Sequence, residues 1–387
     1  MATLPTSVSR FPLPTAYKPT GTLHFPANPG AERKPAPRRE RRPNSALRSS
    51  LVERQSPAKG GAAEVEAEVH LQELEEFLRG DLPHLFDERG IDRTRYDRRV
   101  RFRDPITKHE TVEGYLFNIW LLKLLFSPDF YLHHVKQTGC YEITTRWTMV
   151  MKFAILPWKP ELVFTGVSIM GVNPETQMFC SHVDLWDSIQ NNKYFSFEGL
   201  LDVLKQLRIY KTPDLVTPKY RILKRTATYE VRKYEPFVVA ETKGDKLSGS
   251  SGFNDVTGYI FGKNSSMEKI PMTTPVFTQA SDDKLSEVHI QIVLPMGKEL
   301  DSFPAPESKA VHLRKVEGGI AAVKKFSGKA TEEVVRSIEE ELRSILLRDG
   351  LKPQQGCLLA RYNDPGRTWT FIMRNEVLIW LKEFTLE

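Results

Sequence analysis

Between Tyr229 and Leu381 one order of elements is written twice, and that repeat restricts the folds open to this stretch more than any other feature. Positions 229–234 and 237–242 read as strands, and 251–262 reads as a short helix with Phe253, Val256, Tyr259 and Ile260 on one side. Two more strands follow at 275–278 and 288–294. The order then restarts with strands at 311–316 and 320–326. Thr331 suits the N-cap of a second helix, and Glu332 and Glu333 favour its positive end. Val334, Val335, Ile338, Leu342, Ile345 and Leu346 form the expected buried stripe, Gly350 stops the helix, and strands at 357–362 and 376–381 close the set. Two β-β-α-β-β units predict an α+β fold, a pseudo-symmetric barrel-like sheet with two helices against it. Pro213 and Pro218 bracket a linker, which places this domain at 216–387.

Residues 65–215 read as a separate α+β domain. Leu71, Leu74, Phe77 and Leu78 recur at helical spacing before Gly80, and Leu85 and Phe86 sit on a second short helical stretch after Pro83. Val100 and Phe102 alternate with arginines, and Asp104-Pro105 turns the chain. The apolar run 115–126 predicts a buried helix that Pro128 follows. Long strands are expected at 142–153 and 161–171, then a turn at 173–176 and a returning strand at 177–186. Ser196 suits the N-cap of a last helix carrying Leu200, Leu201, Leu204 and Leu207. Helices followed by a curved antiparallel meander describe a cone.

The formal charge of +6 misrepresents these domains. Residues 1–62 hold eight Arg and three Lys against Glu32, Glu40 and Glu53, a net +8, which leaves −2 for the rest. No basic face is evident outside the tail, which argues against a nucleic-acid binder. The tail has eleven Ser or Thr, ten Pro and no acidic residue before Glu32, a composition expected of a plastid transit peptide cleaved between Arg42 and Ala63. Cys140, Cys180 and Cys357 are too few and too scattered for a disulfide framework or a zinc site. No Cys-x-x-Cys-His for covalent haem attachment and no Cys-Pro pair occur. No run approaches the roughly 18 uncharged apolar residues of a membrane-spanning helix. The stretch from Gly244 to Ser251 nearly fits a phosphate-binding loop, but Ser250 stands where that loop needs lysine. It reads instead as a flexible Gly/Ser loop able to act as a lid.

Two resemblances sharpen this reading. The Arg-Phe-Arg-Asp-Pro at 101–105 and His-Val-Asp-Leu-Trp-Asp at 182–187 resemble the nuclear-transport-factor-like fold, and more narrowly a plant domain of unknown function often joined to SOUL domains. Downstream, Tyr229-Glu-Val-Arg-Lys-Tyr234, Ile270-Pro-Met-Thr-Thr-Pro275, Val288-His-Ile-Gln-Ile-Val-Leu-Pro295, and Arg374-Asn-Glu-Val377 with Trp380 resemble the SOUL haem-binding family in content and order. That resemblance implies reversible binding of haem and other porphyrins, as a carrier, buffer or scavenger, with no defining catalytic step.

A porphyrin needs a flat apolar slot with cations at its rim. Phe253, Val256, Tyr259 and Ile260 are the candidate wall, Met267 and Met272 the adaptable contacts, and Lys263 and Lys269 the partners of the propionates. His289 and His312 are the possible axial ligands, although strand alternation turns both away from the apolar side of their strands. The alternative is a small-molecule enzyme in the cone. Its acid–base pair would be His182 and Asp184, two apart and so on one strand face, with Asp187 nearby. A plastid scaffold is a third reading. The expected setting is the chloroplast stroma, with a thylakoid or plastoglobule surface as the alternative and a haem-metabolising plastid enzyme as a partner.

Overall fold

A fourteen-residue strand that begins directly where a helix ends sets the shape of the first half of the chain. The computed structural model describes residues 60–386 apart from 154, 250, 283–286 and 365, with the side chains of the first helix described from residue 70 on. The expected transit peptide at 1–62 and its cleavage site lie outside the described residues but for the last few positions, and Ser250 lies outside them as well. The described residues form one compact unit.

Helix α1 (Gly60–Asp81) buries Leu71, Leu74 and Leu78. A one-turn helix at Leu82–His84 follows, and Leu85 and Phe86 fall in the turn behind it instead of on a helix of their own. Strand β1 (Tyr96–Arg103) and the two-residue β2 (Lys108–His109) lead to α2 (Val112–Leu125), capped by Thr111, whose hydroxyl accepts from Gly114 N. Strands β3 (Phe126–Gly139), β4 (Glu142–Phe153), β5 (Glu161–Val172) and β6 (Phe179–Trp186) form a meander, and helix α3 (Phe197–Gln206) closes this half. The sheet order is β2-β1-β6-β5-β4-β3, antiparallel except where β1 runs parallel to β6. Bulges between Leu132 and His134 and between Gln137 and Gly139 interrupt the β3–β4 ladder and bend it.

Pro128 follows α2 as expected, within β3, but a further expectation for this half is corrected. Helix α2 is buried on one side only, through Val112, Tyr115 and Ile119, while Phe117, Trp120 and Leu124 are exposed. Its residues are apolar all round, so the sequence could not say which side the sheet would take.

The second half starts with β7 (Tyr220–Arg225), paired to β8 (Glu230–Tyr234). Then come β9 (Phe237–Lys243), α4 (Phe253–Ile260), β10 (Val276–Ala280), β11 (Val288–Val293), β12 (His312–Val316), β13 (Gly319–Phe326), α5 (Glu332–Arg348), β14 (Cys357–Arg361) and β15 (Asn375–Trp380). The nine strands pair in the order β12-β9-β11-β10-β14-β15-β13-β8-β7, all antiparallel.

Alternation gives this sheet two apolar faces. One packs against the helices: α5 inserts Val335, Leu342 and Leu346 beside Val231, Leu359 and Val377, and α4 inserts Val256, Tyr259 and Ile260 beside Ala240, Ile290 and Ile292. Val334 departs from the expected α5 stripe and is exposed, whereas Glu339 on the same helix is buried beneath Arg343. The opposite face gathers Tyr234, Phe237, Phe277, Val293, Leu358 and Leu378.

The halves meet where β7 crosses the helix-free face of the first sheet. Thr148 Oγ1 donates to Ile222 O at 2.9 Å, and Thr165 Oγ1 accepts from Arg225 N at 2.8 Å. Arg225 also forms a two-point pair with buried Asp202 of α3 at 2.8 and 2.9 Å.

Candidate functional site

Helix α4 starts where only glycine fits. Gly252 has φ +80°, and a Cβ there would stand 2.6 Å from Thr242 Cγ2 and 2.7 Å from Lys243 O. The eight-residue helix therefore lies close over β9. Its inward side is core: Val256 is fully buried, Tyr259 and Ile260 nearly so, and the Tyr259 hydroxyl donates to Pro304 O at 2.9 Å. Phe253, at the first turn, stays 36% exposed.

The loop behind the helix is shaped by a residue the sequence reasoning missed. Asn264 is wholly buried. Its Nδ2 donates to Tyr259 O at 3.0 Å and Glu268 O at 2.8 Å, while its Oδ1 accepts from Ser266 N at 3.3 Å and Glu268 N at 3.0 Å. A polar side chain that satisfies four backbone partners fixes the loop, with Ile270 in the core and most of its other side chains outside. Met267 is 80% exposed at φ +52°, and Phe261, Met272, Lys263 and Lys269 are exposed as well. Lys263 lays its stem along Gly258, whose added Cβ would meet Lys263 Cδ at 3.1 Å. So the eight expected contact residues divide. Val256, Tyr259 and Ile260 face the core, while Phe253, Lys263, Met267, Lys269 and Met272 face out with Phe261, which the sequence reasoning also passed over.

His289 is opposite Lys243 and Gln279 in the ladder, and His312 is opposite Glu241. Both stand on the face away from α4; His312 is exposed and His289 half-buried. No group of three or more metal-ligating side chains occurs among the described residues.

The motif residues at 229–234 and 374–377 meet in a buried ionic cluster on the helix-free face. Arg232 pairs with Glu376 at 2.9 and 3.0 Å and with Glu230 at 2.7 Å. Lys325 donates to Glu230, and Arg374 and the Tyr362 hydroxyl donate to Glu376. The Arg232 guanidinium also lies 4.4 Å from the Tyr220 ring centroid. Burial opposes ionisation of Glu376, but the Arg232 and Arg374 guanidiniums outweigh it and hold the carboxyl well below the usual range.

In the first half, His182 and Asp184 do share a face, with Nε2–Oδ1 at 2.9 Å. Asp184 also accepts from Ser168 Oγ, which in turn accepts from Trp147 Nε1 at 2.8 Å. The imidazole is wedged edge-on between Phe102 and Tyr115, with centroids at 5.0 and 5.3 Å, and its buried Nδ1 has no protein partner. Nearby Asp104 is pushed up to about 6, chiefly by burial, with the Asp184 charge adding to it. Asp187 is not part of this group. Strand alternation turns it to the opposite face, where Arg146 grips it at 2.8 and 2.6 Å.

Two cavities lie along the junction of the halves. One of about 480 Å³ is lined by Arg146, Asp187, Lys224, Asp349, Lys352 and Glu383, and one of about 200 Å³ includes Lys205, Tyr210, Arg225, Tyr229 and Lys325. Their charged walls do not suit an apolar disc, and neither reaches α4 or His182.

A family model described as SOUL heme-binding protein matches residues 215–380, and one described as an uncharacterised conserved protein, DUF2358, matches residues 72–182. Heme-binding protein 2 of Homo sapiens is 28% identical over 181 residues, 44% of this chain and 83% of that protein. Heme-binding protein 2 of Mus musculus is 26% identical over 161 residues, 40% of this chain and 75% of that protein. Among solved structures, the EcmrR C-terminal domain is 11% identical with a TM-score of 0.32, covering 43% of this chain and 99% of its own. An NTF2-like protein of unknown function from Exiguobacterium is 13% identical with a TM-score of 0.24, covering 31% and 99%. Likeness at this level carries no inference about activity. The matches to the second half are of another kind, because the stretch they cover contains the motifs that build the buried ionic cluster and the α4 loop: residues 215–380 match the SOUL heme-binding family and are a SOUL-type domain.

Proposed function

We propose that this protein binds haem or a related tetrapyrrole reversibly, through the outer side of α4 and the 261–272 loop of its SOUL domain. The observation that carries the reading is the outward half of the expected set. Phe253, Phe261, Met267 and Met272 offer exposed apolar surface while Lys263 and Lys269 stand exposed on the same helix-loop unit. Aromatic and thioether groups suit a polarisable ring, and ammonium groups suit its carboxylates. Bound haem would contribute its iron and ring chemistry; the residues of this chain would hold the ring and set how quickly it leaves.

Binding on an open surface without a fixed axial ligand favours a carrier, buffer or scavenger over a redox enzyme, whose ligand would have to be set. The strand order supports two related β-β-α-β-β units, since exchanging one half for the other reverses the order of the eight strands β12 to β8. We further read residues 65–215 as a nuclear-transport-factor-like cone and 216–387 as the binding domain, with a plastid setting suggested by the tail. An acid–base site at His182 and Asp184 is the second reading. The formed pair and the orphaned Nδ1 favour it, and the close packing by Phe102 and Tyr115 weighs against it.

The test is a titration of the purified full chain with haemin and with protoporphyrin IX, followed by the Soret band and tryptophan quenching. Saturable binding of both supports a carrier. Haemin alone would assign an axial ligand and bring His289 or His312 forward. Binding of neither overturns the proposal and moves the search to the cone.

A further inference from the structure

Helix α3 is apolar on its outer as well as its inner side: Val203 and the C-cap Leu207 pack against the core of Trp147, Phe164 and Trp186, yet a second apolar stripe is left uncovered. Its buried residues are Gly199 and Asp202, while Phe197 is 73%, Leu201 37% and Leu204 62% exposed. Gly199 faces in because Pro105 and Ile106 press on it, with an added Cβ only 3.2 Å from Pro105 Cβ. Asp202 faces in to meet Arg225 and Ser188. These anchors rotate the apolar stripe Phe197–Leu201–Leu204, spaced i, i+4, i+7, towards solvent.

The exposed apolar surface continues beyond the helix. Phe195 immediately precedes the cap and is 68% exposed, and its ring lies 6.2 Å from that of exposed Tyr194. At the other end, Trp158 donates its Nε1 to Leu207 O at 3.2 Å, which ties the loop carrying Trp158 and Ile155 to the end of α3. Ile155 is 64% exposed. None of these apolar residues lines either cavity. The same segments carry Lys159, Lys193 and Lys205, exposed and, among the described residues, without an ion pair, Lys205 also bordering the smaller cavity. Lys152 and Glu161 face each other in the β4–β5 ladder on the other side of the sheet and cancel, and Glu198 offsets one lysine, so these segments keep an excess of two positive charges.

We propose that this surface docks on an anionic lipid bilayer. Apolar and aromatic tips from one helix and two loops, ringed by lysines with long apolar stems, match the headgroup–acyl boundary: the tips enter and the ammoniums remain with the phosphates. Charge selects the occupant. A second copy packed on the patch by a two-fold axis would bring the same lysine excess face to face. An anionic surface is complementary to it, and a bilayer needs no groove, which splayed side chains from three segments do not form. The proposal is independent of tetrapyrrole binding.

The experiment compares the full chain with Phe197→Ser/Leu204→Ser and with Lys193→Glu/Lys205→Glu, all retaining the same basic tail. Partition is measured by co-sedimentation with vesicles of 30% phosphatidylglycerol in phosphatidylcholine and with phosphatidylcholine alone. Because the substituted residues are exposed, circular dichroism and haemin binding should be unchanged. The serine pair should lower partition to anionic vesicles by roughly tenfold or more. The glutamate pair should lower it by about fivefold or more per lysine, with little effect on neutral vesicles. Equal partition of the parent chain and the serine pair would overturn the proposal and assign vesicle binding to the tail. So would a parent dimer in sedimentation velocity that the serine pair converts to monomer, since the patch would then belong to a second copy.

Discussion

Arg232 and Glu376 form a two-point ion pair from which solvent is wholly excluded, and they join β8 to β15 across the intervening β13. The residues are 144 apart in sequence, so the pair ties the first strands of this half to its last. Removing one partner strands charge in the core. Glu376→Leu should cost about 3–5 kcal/mol in urea unfolding. Arg232→Met/Glu376→Leu should cost less than the sum of the two single changes. Additive losses would show that the pair does not act as a unit.

Glu230 belongs to the same cluster. Burial alone would raise it, but Lys325 and Arg232 outweigh that and hold the carboxyl down to about 2. A carboxyl depressed in the folded state stabilises the fold above its unfolded value of 4.5, and that stability is lost as pH falls from 4.5 towards 2. Urea midpoints should therefore drop steeply below pH 4.5. Lys325→Met should make the drop shallower by letting Glu230 protonate closer to its ordinary value. A parent and variant with the same acid slope would remove Lys325 from the cause.

Position on α4 separates packing from binding. Tyr259→Ala empties core space and deletes the bond to Pro304, so a loss of about 3–5 kcal/mol is expected. Phe253→Ala should change stability by no more than about 0.5 kcal/mol, because the residue is already more than a third exposed to water. It should nonetheless weaken haemin and protoporphyrin binding in the titration. Unchanged affinity in Phe253→Ala/Met272→Ala would take the outer side of α4 out of the site.

Arg225 of β7 holds Asp202 of α3, and so couples the two sheets. Arg225→Met should leave Asp202 buried and unpaired, costing about 3 kcal/mol or more. Calorimetry is the measurement to make, because a single transition should broaden or split if this contact maintains cooperativity between the halves.

The thiols should report their burial. Cys140 is exposed, Cys180 half-buried and Cys357 buried, with burial pushing the Cys357 thiol up to about 12. Ellman's reagent on the native protein should modify Cys140 first and Cys357 only on unfolding. Early reaction at Cys357 would mean that α5 opens over β14.

Much of the second half was legible because its signals are local. The period-two runs that became β9, β11 and β14, the Thr331 cap and the Gly350 stop each depend on neighbours a few residues away. β3 and β7 escaped. The first carries Pro128, two histidines and two bulges that blur its alternation, and the second is short and highly charged. The α4 stripe was recognisable as apolar, but which of its residues met the core followed from the glycine that sets the helix down on β9.

What the sequence determined by itself, then, was the repeated order of elements, the helix ends and the family motifs, all written in patterns short enough to read along the chain. Tertiary structure alone decided which side of an apolar helix is covered. It turned the Leu204 stripe outward because Asp202 needed Arg225 from another sheet, and it put Asp187 on the face opposite His182. It also gathered Glu230, Arg232, Lys325, Arg374 and Glu376 into one cluster. Those outcomes depend on partners as many as 144 residues away, and a buried charge is tolerated only where such a partner arrives.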